Sequence, residues 1–184
     1  NHPIIWSSIM ATYQDSRYNI ALPSGSGGAI VPIKTLTASS SATLSFVDGA
    51  SSVVLDSTYP IYLFKYINVH PVTDAAKLMF QANAVGETGF NETITSSFFY
   101  GVHTEANTAA SVSYDGDNDL AQGTGYQPLV GSVGNGNDES FSGVMHLFDP
   151  SNTTFVKHFM VRGNTYSQND SSADMYFAGY CNVT

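Results

Sequence analysis

The sequence is poor in charge, and its few basic residues do not cluster. Charged residues make up 11% of the 184 residues, against roughly a quarter in typical soluble domains. A phosphate-binding surface needs clustered Lys and Arg, but here the basic residues are scattered singly: Arg17, Lys34, Lys65, Lys77, Lys157 and Arg162. Fifteen acidic residues give a net charge of −9. We therefore expect no nucleic-acid partner.

Cysteine and long apolar runs are also scarce. The single cysteine, Cys181, excludes an intrachain disulfide and any metal site built on several thiolates. Its place in an aromatic segment beside Tyr180 favours a buried apolar role over a nucleophilic one. No stretch approaches the roughly 18 apolar residues of a membrane helix, and the N-terminus lacks the basic and apolar regions of a signal peptide. We therefore expect no membrane partner and cytosolic synthesis.

In place of charge the chain carries Ser, Thr, Asn and Gly, with 11 Tyr and 11 Phe. Short Thr-, Val- and aromatic-rich runs alternate with turn residues, which is typical of strands. Asp48-Gly49 predicts a hairpin turn, and the tetrad 149–152 (DPSN) predicts a type I turn. The run 60–69 is apolar on both faces and predicts a central strand buried from two sides. The predicted strands are 34–38, 42–47, 51–55, 60–69, 77–84, 92–103, 140–148, 153–162 and 174–183. We predict an all-β fold, a β-sandwich or jelly-roll-like domain.

The first 33 residues predict a separate N-terminal docking arm with a Gly/Ser hinge. The arm begins with an apolar strip that carries the only Trp, and PSGSGG follows at 23–28. An apolar strip is costly to leave in water, so we expect it to dock on its own domain or on another subunit. The candidate partner-binding residues are Ile4, Ile5, Trp6, Ile9 and Met10. The predicted division is therefore an arm at 1–33 and a β-sandwich domain at 34–184.

The segment 101–140 is rich in Gly, Asn and Asp. A connection this long either serves a function, such as covering a neighbour, or is a solvated loop. It contains Asp115, Asp117 and Asp119, alternate carboxylates that resemble the start of a calcium loop. An EF-hand would next need Gly and, later, Glu, where this chain has Leu120 and Tyr126. We therefore predict no cofactor and retain calcium only as a candidate ligand of these three residues.

No motif predicts catalysis. The sequence has no G-x-S-x-G, no H-E-x-x-H and no phosphate-binding loop after a strand. His146 and His158 lie on strands joined by the 149–152 turn, two residues out of register, so we expect them on one sheet face. Histidines placed in this way are usually packing residues. The prediction is a protein that is not an enzyme.

Five segments carry a family resemblance: 36–59, 62–82, 90–106, 134–159 and 174–184. The most distinctive is the hairpin HLFDPSNTTFVKHF within 134–159. Together they resemble a family of structural proteins of marine tailed phages, whose members are labelled virion, tail-fibre or hypothetical proteins. The resemblance covers roughly residues 34–184 and brings no catalytic residues with it.

Composition and resemblance together predict a non-enzymatic component of a tailed-phage particle, assembled in the host cytoplasm and located in the virion. The first expectation is a capsid decoration or cement protein. The alternatives are a tail or head fibre module for host adhesion and a carbohydrate-binding β-sandwich. The expected partners are capsid or tail proteins and further copies of the chain, for instance in a trimer, with a host-surface glycan as another candidate.

Overall fold

The structure, a computed structural model, describes residues 30–184. The chain divides into two units, Asn1–Pro32 and Ile33–Thr184, and the fold below belongs to the second. The apolar arm residues 4, 5, 6, 9 and 10 lie outside the described residues, so their docking role and the domain division stay predictions. The described part contains no helix, and hence none long and apolar enough to cross a membrane.

Eight strands make up the fold, which confirms the all-β prediction and is consistent with a β-sandwich. They are β1 (Ile61–Val69), β2 (Met79–Phe80), β3 (Ile94–Thr104), β4 (Ala110–Tyr114), β5 (Gln127–Pro128), β6 (Phe141–Phe148), β7 (Lys157–Ser167) and β8 (Ser171–Cys181). Six of them form one antiparallel sheet in the order β1-β6-β7-β8-β3-β4, and β2 and β5 form a second, small sheet.

The large sheet has a buried core face and an outer face, as the alternation along β7 shows. Residues 157, 159, 161, 163, 165 and 167 of β7 are buried, and the residues between them are exposed or half-buried. Phe98, Phe141, Phe159 and Phe177 lie on the core face with at most 3% of their surface exposed. The small sheet and the segments beside it cover this face: Phe80 of β2 packs edge-on against Phe159 of β7, with ring centroids 5.0 Å apart.

Part of the predicted long segment 101–140 is not a solvated loop, because residues 127–130 and 133 lie buried over the core of their own chain. Leu129, Val130 and Val133 are almost fully buried. The side chain of Gln127, also fully buried, donates to the carbonyls of Asn118 and Pro128 and accepts from the Ser96 hydroxyl at 2.6 Å. These bonds satisfy the amide, which would otherwise be costly to bury.

The predicted strands 34–38, 42–47 and 51–55 are wrong, because none of them pairs with another strand and most of their residues are exposed. Thr and Val favour strands only where a partner is present. Asp48-Gly49 does form a turn, in which the Gly49 N–H donates to the Val53 carbonyl and Gly49 has a φ of 74°. Positive φ at Ser51 and Ser52 then bends the chain again.

Two further strand predictions need correction. The strand at 60–69 is an edge strand and not a central one, and its outer face is open: Ile67 is 74% exposed. Of the predicted strand 77–84 only Met79–Phe80 pairs. The remaining four predictions are confirmed as β3, β6, β7 and β8. The 149–152 turn extends beyond Asn152, because two backbone N–H groups that follow it in the chain donate to Asn152 Oδ1, at 2.7 and 2.8 Å. β7 therefore begins only at Lys157.

Candidate interaction surface

The outer face of the large sheet is the most distinctive surface of the described unit. Four of its six strands, β1, β3, β4 and β7, expose large apolar side chains there. Those that are at least 38% exposed are Ile61, Leu63, Ile67, Phe99, Val112, Tyr114 and Met160. Val144, His146 and Phe148 of β6 lie half-buried among them. Antiparallel sheets usually present polar side chains on a solvent face, so this apolar content is unusual for such a face.

Register brings three side chains of different strands into one stack at the centre of this face. Arg162 of β7 lies opposite Tyr176 of β8, which lies opposite Phe99 of β3. The Phe99 and Tyr176 rings are parallel, with centroids 5.1 Å apart, and the Arg162 guanidinium carbon lies 4.6 Å from the Tyr176 centroid. Since β7 and β3 flank β8 on opposite sides, the two neighbours cover opposite faces of the Tyr176 ring.

A carboxylate holds the end of this stack in place. Arg162 donates to Asp174 Oδ2 at 3.0 Å, and the Tyr176 hydroxyl donates to the same oxygen at 2.9 Å. The hydrogen bond from Arg162 lowers the pKa of Asp174 below its usual value. Only one other charged side chain, Lys65, lies on this face of the six strands. The face is therefore close to neutral in a chain whose net charge is −9.

Two of the three aspartates of the calcium candidate, Asp115 and Asp119, accept local hydrogen bonds, and the three do not form a metal-binding group. Asp115 accepts from the Asp117 N–H at 3.1 Å and from the Asn118 amide at 2.7 Å. Asp119 accepts from the Tyr114 hydroxyl. Among residues 30–184 no three His, Cys, Asp or Glu side chains form a group that could hold a metal ion. Calcium at these three residues therefore stays a prediction.

Cys181 and the histidines lie where the sequence predicts. Cys181 is buried against the core, and burial raises the pKa of its thiol to about 12, which suits an apolar role. His146 and His158 both lie on the outer face. His146 pairs with Met160, which confirms the two-residue offset between the histidines.

A scan of protein-family models found none that matches this chain, and searches of curated proteins and of solved structures returned no match either.

Sequence reasoning missed the stack of Phe99, Tyr176 and Arg162. The three residues come from strands far apart in the chain, and only the register of β7, β8 and β3 places them side by side. The signal in the sequence was the strict alternation of β7, which puts His158, Met160 and Arg162 on one face. Pairing partners, however, are not encoded by alternation alone.

Proposed function

We propose that the chain is a non-enzymatic structural component of a tailed-phage particle, a decoration or cement protein on the capsid exterior. The observation that carries the proposal is the apolar, nearly neutral outer face of the six-stranded sheet. The resemblance of residues 34–184 to phage structural proteins is the reason for proposing that the assembly is a phage particle.

The outer face suits contact with a protein subunit because little has to be desolvated. Burying a charge is costly unless it is paired, and of the three charges on this face two already pair with each other. Full burial of a large apolar side chain contributes about 1.5–3 kcal/mol, and a residue of this face gains the share that matches its exposed fraction, 38% for Leu63 and 55% for Met160. Leu63 and Met160 lie in one row across β1, β6 and β7, with His146 between them. This row is the part of the face that we assign to the neighbouring subunit.

The fold beneath this face is closely packed, which suits a particle component. On the core side Gly143 and Gly163 are directly opposite each other, and the buried Phe141 ring lies over both. The Ser96–Gln127 hydrogen bond joins the large sheet to its cover. Such contacts hold the outer face in one shape, which lowers the entropic cost of assembly.

The test uses two variants with the same chemical change. Leu63→Lys places a charge in the proposed contact, whereas Val72→Lys places the same charge in a loop, where Val72 is already 83% exposed. Purified protein is mixed with particles that lack it, and the bound fraction is measured by sedimentation. We expect Leu63→Lys to reduce binding strongly and Val72→Lys to leave it unchanged. Equal binding by both variants contradicts the assignment.

The arm is tested separately. A protein without residues 1–28 is expected to keep its β signal in circular dichroism and to lose decoration of particles. Full decoration by the truncated protein would show that the arm is not needed for binding. The role of the sheet face would then still be tested by Leu63→Lys and Val72→Lys.

The alternatives remain a fibre module and a carbohydrate-binding sandwich. Sugars bind proteins by lying on exposed aromatic ring faces, and both faces of the Tyr176 ring are occupied by Arg162 and Phe99. The geometry of this stack therefore favours contact with protein over stacking of a sugar on Tyr176. A fibre role predicts that the purified protein adheres to host cells, and a sugar-binding role predicts a positive glycan array.

A further inference from the structure

β4 is an edge strand whose outward backbone groups have no partner. The N–H of Asp115 donates to the Phe98 carbonyl and the N–H of Thr104 donates to the Ala109 carbonyl. Hydrogen-bonded positions alternate in an antiparallel pair, so the N–H and C=O groups of Ala110, Val112 and Tyr114 point away from β3. Within residues 30–184 no hydrogen bond is made by any of these six groups.

This edge lacks the features by which proteins protect an exposed strand. β4 (ASVSY) contains no charge, no proline and no bulge, and Val112 and Tyr114 are 79% and 61% exposed. The other edge of the same sheet is protected: β1 carries Lys65 and has an irregularity between Tyr66 and Val69. An unprotected edge is a template for pairing with another strand.

We propose that β4 pairs antiparallel with β4 of a second copy of this chain, around a two-fold axis at Val112. In this register each Val112 lies opposite the other, and each Ala110 lies opposite the partner's Tyr114. Three residue pairs that exchange two hydrogen bonds each give about six bonds between the chains. The pairing joins the two large sheets into one continuous sheet. It goes beyond the proposed function and does not depend on it.

Two observations favour a second copy as the occupant of this edge. First, the strand is complementary to itself: a small side chain, Ala110, meets a large one, Tyr114, and the paired residues 110–114 carry no charge. Second, a shallow depression lies beside Ala110 on the outer face, between Val112 and Asp174, where Gly101 has no side chain. The partner's Tyr114 ring, directly opposite Ala110, has room to settle there.

Acidic residues flank the strand, with Glu105 before it and Asp115, Asp117 and Asp119 after it. In the antiparallel pair these like charges approach each other, so the dimer should be weakened at low ionic strength and strengthened by salt.

The test begins with the mass of the full chain in solution. We expect sedimentation equilibrium to show a mass that rises with concentration from 19.7 kDa toward twice that value. Val112→Lys places two ammonium groups opposite each other and should raise the dissociation constant about two- to fivefold. Val85→Lys, which makes the same change at a fully exposed loop residue, should leave it unchanged.

Val112→Pro is a second variant that keeps the fold. The N–H that proline removes points away from β3, so the β3–β4 ladder is preserved while an interchain donor is lost. Hydrogen exchange gives an independent readout: the amides of Ala110, Val112 and Tyr114 should become protected as concentration rises, whereas those of Ser111 and Ser113 are already bound to β3. A chain that stays monomeric at its highest soluble concentration overturns the proposal. So does a dimer that both Val112 variants form as tightly as Val85→Lys.

Discussion

Replacing Gly163 with alanine tests the packing of the core face at a point of close contact. Gly163 of β7 lies opposite Gly143 of β6, and the fully buried Phe141 ring lies over both glycines. A Cβ atom added at Gly163 would come within 2.6 Å of Phe141 Cζ and within 3.1 Å of the Ser142 carbonyl oxygen. Side chains do not tolerate the first distance, so the ring has to move.

The ring has little space into which to move, because Tyr66 packs against it with centroids 6.0 Å apart. Overpacking a well-packed core lowers the free energy of unfolding by about 1–3 kcal/mol. Replacing a strand glycine by alanine raises it by about 0.5–1 kcal/mol. We expect Gly163→Ala to lower the free energy of unfolding by about 1–2 kcal/mol. In a domain of this size each kcal/mol lowers the Tm by about 2–4 °C.

Gly101→Ala is the matched control, compared at concentrations at which the chain is monomeric, because Gly101 also borders the depression assigned to the partner's Tyr114. Gly101 lies in the same sheet on the outer face, and its added Cβ would meet only Val112, at an ordinary 3.8 Å. We expect this variant to be more stable than the natural chain by about 0.4–1 kcal/mol, because alanine restricts the unfolded chain. The two variants should therefore change stability in opposite directions in urea denaturation followed by circular dichroism.

The cause can be isolated with a double variant. If the Phe141 ring is the obstacle, Gly163→Ala should destabilise a Phe141→Leu protein less than it destabilises the natural chain. The two losses in free energy of unfolding should differ by at least about 1 kcal/mol, since residues in contact show coupling of this size. A Gly163→Ala protein as stable as Gly101→Ala, or a cost that is unchanged by Phe141→Leu, refutes the packing account.

Four other predictions address single groups. Gln127→Leu should lower the free energy of unfolding by about 1–3 kcal/mol for each group left unbonded, whereas Gln168→Leu, at an exposed residue, should change it little; urea denaturation measures both. Cys181 should not react with a thiol reagent in the native protein and should react fully once it is unfolded, and fast native labelling would contradict its burial. Because burial raises the Cys181 pKa from 9.0 to about 12, the folded state keeps a proton that the unfolded chain loses. The stability linked to this thiol should be complete below about pH 9 and decline as the pH rises toward 12, and a Cys181→Ala protein with an equally steep decline would exclude the thiol as the cause. Arg162→Ala should raise the pKa of Asp174 toward its usual value, measured by NMR titration, and an unchanged pKa would show that Arg162 is not the cause of the lowering.

The fold class was predictable because period-two alternation and turn residues are local signals. β6, β7 and the turn between them were found in this way, since Asp149 and Asn152 specify the turn by themselves: the Asn152 N–H donates to the Asp149 carbonyl at 3.1 Å. The three Thr- and Val-rich runs before residue 56 gave the same local signal and form no strand. Strand formation depends on a partner, which no local pattern supplies.

The outer face was harder to predict because it depends on strand order. β1 is apolar on both faces, which suggested a central strand, yet it lies at an edge and its outer residues are exposed. The apolar residues on that side fit a surface that is covered only after assembly. The stack at Tyr176 and the open edge of β4 likewise follow from the order β8-β3-β4, which brings together segments distant in sequence.

Mass spectrometry of purified particles tests whether the chain is part of a virus particle. Virus-sized particles are purified from a culture or sample whose DNA encodes the chain, and they are banded by density. They are treated with nuclease in the presence of protease inhibitors, washed, and then digested with trypsin. If the chain is a particle component, peptides from residues 34–184 should occur in the particle band, together with peptides of capsid proteins. Peptides found only in the cell fraction, with none in a band that contains the capsid proteins, would contradict it.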